Sequence, residues 1–443
     1  MTRRPRFRSA QRTVLPRPVT PSRPAFAVAL HRLVRGLVAA LFCLVLLVAG
    51  GVPAQASSGV TWAPAEEPGG FARALEPLHW RFPADFGPHP DYQTEWWYTT
   101  GNLADASGRP FGFQFTIFRQ ALAPGAADGS SPWRTPQVMS AHVTVSDITS
   151  GRFYAEERFS RASQGLAGAS AEPLQVWLQD WRMDSPADAA TDPRAPTHLQ
   201  AAAGEIALDL EVQQSRPPVL QGRHGLSQKG PAAGNASHYY SLVQQPTSGR
   251  LRIGAQEFTV QGLSWTDHEI FTNSLAADTI GWDWFSAQFD QGRALMLYRL
   301  RQDATAGSSP APGGTAVSSD SPAGAAGTVA ASAVGLGGGR WIDGDREIEL
   351  TAADLQLEPL SSWRSPHSGA TYPARWRLTV PRLNLALEVT PQLADQELRT
   401  TSATYWEGAV TYRGTLESEP LLGQGYAELT GYADAINRRL QGR

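Results

Sequence analysis

The run Trp265-Thr266-Asp267-His268-Glu269 holds an indole, two carboxylates and an imidazole within five consecutive residues. In an extended strand alternate side chains share a face, so Trp265, Asp267 and Glu269 point one way and Thr266 and His268 the other. A carboxyl group beside an indole in an apolar cavity has its charged form disfavoured, which raises its pKa. Asp267 is then a candidate general acid, with His268 its titratable neighbour. Protonating a carbon–carbon double bond needs such an acid, and aromatic faces stabilise the cation that forms. Trp96, Trp97, Tyr98, Trp282 and Trp284 are candidates for those faces. The competing reading is that Asp267 and His268 only fasten two parts of the fold together through hydrogen bonds.

Other residue groups extend the candidate site. Glu95-Trp96-Trp97-Tyr98 reads first as a core strand with large aromatics and second as the lining of a ligand site. Tyr239-Tyr240 reads as one inward and one outward strand residue. Glu95 and Asp283 lie among tryptophans, so their burial demands partners. Arg119 and Arg299 are the candidates, in ion pairs that would close a barrel. The ligand-binding set is therefore Glu95, Trp96, Trp97, Tyr98, Tyr239, Tyr240, Trp265, Trp282, Asp283 and Trp284. His89, Asp91 and the Asp267–Glu269 triplet offer metal-ligand atoms, but neighbours on a strand diverge and no accepted ligand spacing occurs. Neither a metal nor another cofactor is expected. No G-x-S-x-G nucleophile elbow is present.

The elements that must position these residues are strands. Phe111-Gly-Phe113-Gln-Phe115-Thr-Ile117 alternates with period two, as do Ile206–Val212, Trp376–Val380 and Asn384–Val389. Turn signals at Ser107-Gly108-Arg109, Thr149-Ser150-Gly151 and Asp290–Arg293 separate the runs at hairpin spacing. No long amphipathic helix stands out. Residues 304–339 are almost wholly Ala, Gly, Ser, Pro and Thr, which predicts a disordered loop. Arg299 and Arg301 before it and Arg340-Trp341 after it are expected on two strands of one hairpin. The halves look related: Trp97-Tyr98-Thr99 matches Trp284-Phe285-Ser286, and Gly262, Trp265 and Asp267 match Gly423, Tyr426 and Glu428 in spacing. This duplication predicts an all-β chain of two similar domains joined near residue 270. Such strands fit sandwiches or antiparallel barrels, and a barrel of about eight strands can enclose one small ligand.

Bulk properties narrow the setting. Residues 1–56 carry nine arginines and no acid, then an apolar run from Gly36 to Val52 and Ala54-Gln55-Ala56. That order predicts an export signal, a periplasmic or extracellular location, and a membrane tether if the signal stays uncleaved. Cleavage removes nine positive charges, taking the formal charge from −3 to −12. An acidic body whose only lysine is Lys229 is a poor match for nucleic acid. Cys43, the single cysteine, lies inside the apolar run, so the mature chain has no disulfide and no thiol chemistry.

The segment His89-Pro-Asp-Tyr-Gln-Thr-Glu95-Trp-Trp-Tyr-Thr-Thr-Gly-Asn-Leu103 resembles the opening hallmark of the carotenoid 1,2-hydratase/AttH family. Phe153–Ser160, Pro217–Gly222, Gly234–Tyr240, Ser264–Glu269, Gly281–Phe285 and Tyr405–Gly408 follow in the same order. The resemblance covers nearly all of residues 80–432 outside the low-complexity loop. It implies two tandem lipocalin-like barrels, with a linker at 57–79, a first domain at 80–269 and a second at 270–443. Some members hydrate carotenoid alkenes; others are named as secreted hydrolases or as companions of ABC export systems. Three functions follow as expectations. The leading one is an exported protein that binds a hydrophobic small molecule, a lipid or isoprenoid, in the cell envelope. The second is a hydratase or hydrolase that uses Asp267 and His268. The third is an accessory subunit whose partner is an ABC-type permease.

Overall fold

The computed structural model describes residues 69–125, 131, 133–272, 274–276, 278–303 and 337–433. The arginine-rich segment at 1–56 and residues 304–336 lie outside them. Among the described residues there is no α-helix, only short 3-10 turns before and between the strands. No helix there is long and apolar enough to cross a membrane.

Strands fall into two antiparallel sheets in chain order. The first holds β1 (Thr94–Asp105), β2 (Pro110–Ala121), β3 (Gln137–Asp147), β4 (Arg152–Arg161), β5 (Ala167–Ser170), β6 (Gln175–Leu178) and β7 (Trp181–Asp184). It continues through β8 (Thr197–Ala203), β9 (Ile206–Val212), β10 (Val219–Leu220), β11 (Leu226–Gln228), β12 (Ala236–Ile253) and β13 (Gln256–Phe271). Its order is β4-β3-β2-β1-β13-β12-β9-β8-β7-β6-β5, with β10 and β11 paired to β12. The second holds β14 (Thr279–Phe289), β15 (Ala294–Gln302), β16 (Gly337–Asp343), β17 (Arg346–Thr351), β18 (Gln356–Arg364), β19 (Thr371–Val380), β20 (Leu385–Pro391), β21 (Glu397–Arg399), β22 (Thr404–Leu416) and β23 (Glu419–Leu429). Its order is β17-β16-β15-β14-β23-β22-β20-β19-β18, with β21 paired to β22.

Each sheet curls into a near-barrel, because inward side chains repeat at every second residue and can be buried only against one another. Phe111, Phe113, Phe115 and Ile117 of β2 fill the first interior with Trp181, Leu199 and Leu210. Phe285, Trp376, Leu378, Leu387 and Tyr412 fill the second. A third apolar layer lies between the two, built from Tyr98, Tyr239, Val243, Trp265, Trp284, Met296 and Tyr426. The near-barrels can approach closely there because Gly112 has no side chain: a Cβ at that position would lie 2.8 Å from Ala409 Cβ and 3.0 Å from Tyr426 Oη.

The hairpin around the low-complexity segment forms as expected, β15 pairing with β16. The segment is shorter than 304–339, however. Gly337, Gly338 and Gly339 belong to β16, opposite Arg299, Tyr298 and Leu297. A Cβ on Gly339 would meet Met296 O at 2.2 Å, so these glycines serve strand packing and not flexibility.

Register also corrects the duplication. Glu95 lies opposite Arg119, and Asp283 opposite Arg299, so the two acids are equivalent. Counting from them pairs Trp96 with Trp284 and Trp97 with Phe285, one place away from the match read in the sequence. By the same count Glu428, opposite Trp284, corresponds to Glu269, opposite Trp96, while Asp267 corresponds to Tyr426. With period two, a shift of one place exchanges the faces of a strand, and aromatic pairs alone cannot fix it. Asp267 therefore has no acidic counterpart in the second half.

Candidate functional site

Strand β13 is shared by two polar clusters, one on each face. Asp267 faces the seam between the near-barrels. Its Oδ1 accepts from Ser241 Oγ at 2.5 Å and from Trp265 Nε1 at 2.7 Å; its Oδ2 accepts from Tyr239 Oη at 2.6 Å. Trp284 Nε1 donates to Tyr239 Oη at 3.1 Å, and the Tyr98 ring meets Trp284 edge-on at 5.3 Å. Burial raises the Asp267 pKa to about 7, against three donors that favour the carboxylate and with the charge of Glu269 adding to the rise.

More carboxyls line the same seam. Glu428 is also raised to about 7 by burial, although Trp282 Nε1 donates to it at 3.0 Å. Glu407 is raised well above the usual carboxylate range by burial and by Glu428, which lies opposite it across β22 and β23. Its Oε1 accepts from Tyr98 Oη of the first near-barrel at 2.8 Å. Glu269 is compensated by Lys229 Nζ at 2.8 Å and by Ser237 Oγ at 2.9 Å. Lys229 also sits over the rings of Tyr298 and Tyr239.

His268 points the other way, into the first near-barrel, and so shares no site with Asp267. Its Nε2 lies 2.9 Å from Glu95 Oε1 and its Nδ1 2.7 Å from Tyr240 Oη. Arg119 Nε donates to Glu95 Oε2 at 2.9 Å and, with burial opposing, holds that carboxyl well below its usual range. Trp97 stacks on His268 at 4.8 Å. Trp97 and Tyr240 line a cleft of about 690 Å³ that includes space open to solvent, with Phe86, Leu174, Met183, Leu199 and Leu242.

Each predicted residue can now be placed. Tyr239 faces the seam and Tyr240 the barrel interior, as alternation requires. Tyr98, Trp265 and Trp284 join Tyr239 in the seam, and Trp282 reaches it through Glu428. Trp96 packs edge-on against Phe271 at its margin. Glu95 and Asp283 are both ion-paired, Asp283 through Oδ2 to Arg299 at 2.6 Å while its Oδ1 accepts from Tyr432 Oη at 2.8 Å, so each organises its own barrel.

His89, Glu95 and His268 offer three ligand atoms within 4.8 Å of one another, a grouping that strand spacing did not show. They do not fit a cation: Arg119 already neutralises Glu95, and His89 is itself charged. Burial opposes that charge, but hydrogen bonds to Asp85 and Glu95 hold the His89 pKa up at about 9. Sequence reasoning passed over Glu407 and Lys229. The signals were present in the lone lysine of an acidic chain and in a glutamate beside a buried Tyr-Trp pair.

The raised pKa of His89 has a measurable consequence. A folded-state value of about 9 against the ordinary 6.5 means that its stabilisation is complete below pH 6.5 and lost as pH rises through 9. Urea titrations are expected to show stability falling over that window, by about 3 kcal/mol from this group. Asp267 and Glu428 act with the same sign below about pH 7. His89→Gln should flatten the slope above pH 7; an unchanged slope would place the titration elsewhere.

Two tandem near-barrels with a dry acid at their seam define a lipocalin-like double-barrel architecture. The AttH-like family model matches residues 73–432, and the chain belongs to that family. A crystal structure from Nitrosomonas europaea, described as that of a putative AttH, is 30% identical, with a TM-score of 0.67 over 82% of this chain and 100% of its own. Kievitone hydratase from Nectria haematococca shares the fold at 13% identity, with a TM-score of 0.58 over 84% of this chain and 98% of its own. Among functionally curated proteins nothing matches.

Proposed function

We propose that this protein is an enzyme of the hydratase type, adding water to, or removing it from, a carbon–carbon double bond of a mostly apolar small molecule, with Asp267 as general acid. The observation that carries this is the Asp267 carboxyl: buried, poised near neutrality, set between indole and phenol rings, and facing three fixed donors. The reaction follows from that setting. Protonated Asp267 gives its proton to an alkene carbon, and the cation forms beside the Trp265, Trp284 and Tyr98 rings. Ser241, Tyr239 and Trp265 receive the new carboxylate without reorganisation, which lowers the cost of releasing the proton. Water then bonds to the cationic carbon, and its surplus proton passes to a carboxylate of the seam, so the proton count is restored.

A simple binding role would have suited an apolar cavity with no dry acid; the acid cluster at the seam favours chemistry, with binding of an apolar ligand as its first step. The fold shared with kievitone hydratase supports the reaction class. The arginine-rich, apolar N-terminal segment supports an exported location.

The test is incubation with a panel of isoprenoid alkenes in ¹⁸O-labelled water, followed by mass spectrometry. Products heavier by one labelled water are expected. Tight binding of an alkene without label incorporation would return the protein to the ligand-binding class.

A further inference from the structure

Asp267 serves the seam, while its neighbour His268 takes part in an arrangement that the hydration reading does not use. Arg119, Glu95, His268 and Tyr240 form a continuous chain of hydrogen bonds ending at the cleft of the first near-barrel. An ionised Glu95 can only accept, so His268 Nε2 carries its hydrogen and Nδ1 accepts from the Tyr240 hydroxyl. His89 Nδ1 reaches the same Glu95 oxygen at 2.9 Å, and Arg119 also donates to the carbonyls of His89 and Tyr92. The imidazole is therefore oriented by Glu95, which Arg119 and His89 hold in turn.

The surroundings of Tyr240 differ from those of a tyrosine used for packing. Tyr412, equally buried in the other near-barrel, gives its hydroxyl to a backbone carbonyl, Ser286 O, at 2.8 Å. Tyr240 gives its hydroxyl to an imidazole, and its ring is held edge-on by Trp80 at 5.4 Å and Phe82 at 5.1 Å. Two of the rings in contact with His268, Trp97 and Tyr240, line the cleft, whose other walls are largely apolar. An apolar cleft with one tyrosine backed by a base suits a mostly apolar molecule that carries a single acidic hydroxyl.

We propose that the interior of the first near-barrel is a second small-molecule site, separate from Asp267, which takes a phenol-like ligand and accepts its proton through Tyr240. The ligand O–H bond breaks, its proton bonds to Tyr240 Oη, and the tyrosine's own proton passes to His268 Nδ1. The result is a ligand phenolate and an imidazolium, whose charge burial opposes and the facing Glu95 carboxylate favours; one proton has moved and no electrons have been transferred. Tyr240 and His268 carry the proton, whereas Glu95 and Arg119 are positioning residues. The clear space in the cleft is about 40 Å³, room for about three waters, so a ring enters only as lining side chains move apart.

The test uses 4-nitrophenol below its own pKa, where the free compound is neutral and the phenolate absorption band reports proton transfer. Wild-type protein is expected to bind it saturably and to develop the band. Tyr240→Phe and His268→Gln should bind it and lose the band, Leu199→Trp should block binding, and Asp267→Asn should behave as wild type. Thermal unfolding checks that the variants fold; His268→Gln carries the test if Tyr240→Phe does not. Absence of saturable binding to wild type, binding without the band, or an undiminished band in both relay variants would overturn the proposal. Its failure is separable from failure of the hydration reading, since Asp267→Asn removes only the latter activity.

Discussion

Asp267→Asn is expected to lower hydration turnover by about 10²–10⁴-fold, the usual worth of a positioned general acid. Asparagine keeps the shape of aspartate and can still accept from one or two of Ser241, Tyr239 and Trp265, but it has no proton to give. Its amide must also face at least one donor, so a stability loss of about 1–2 kcal/mol should accompany the change. The pH profile separates the acid role from a structural one. A group with a pKa of about 7 is protonated below that value, so turnover should fall as pH rises through 7. Tyr239→Phe removes a donor that stabilises the carboxylate and should move this limb to higher pH. If the limb stays in place in Tyr239→Phe, or turnover survives in Asp267→Asn, another group supplies the proton.

Arg119→Met should be the most damaging single change to stability, costing about 3–5 kcal/mol. Arg119 and Glu95 are both about 1% exposed or less, and Glu95 is the point on which Arg119, His89 and His268 converge. Removing the guanidinium leaves a buried carboxylate facing two imidazoles, only one of them charged. The double variant Glu95→Gln/Arg119→Met should recover much of the loss, because no unpaired charge then remains. The equivalent Arg299→Met should cost less, since Arg299 is 29% exposed and Arg301 remains 3.4 Å from Asp283. Urea denaturation of the three variants beside the wild type decides the matter. A cost below about 1 kcal/mol for Arg119→Met would mean that water reaches Glu95 and that the relay to Tyr240 is not dry.

Several of these features were legible in the chain. The alternation Phe111–Ile117 announces a strand with one buried face, and it became β2. Acids set among tryptophans must find cations, and Glu95 and Asp283 found Arg119 and Arg299. The parity of Trp265–Glu269 alone puts Asp267 and His268 on opposite faces of a strand. The register of the duplication was not legible, because Trp97-Tyr98-Thr99 and Trp284-Phe285-Ser286 look alike at an offset of one. Only the pairing of Glu95 with Arg119 and of Asp283 with Arg299 shows which residues are equivalent.

Local covalent order therefore determines period, face and the need for partners, since these depend on neighbours along one strand. What lies across from a face depends on residues tens to hundreds of positions away. Tyr98 meets Glu407 and Trp284 meets Tyr239 only once the two near-barrels have packed, and Glu95 meets Arg119 and His268 only once β1 has paired with β2 and β13. The pKa of Asp267 belongs to the same class, because removal of water by two packed near-barrels raises it. Spacing in the chain carries no information about that desolvation, and so only the tertiary structure shows which groups complete the polar cluster on each face of β13.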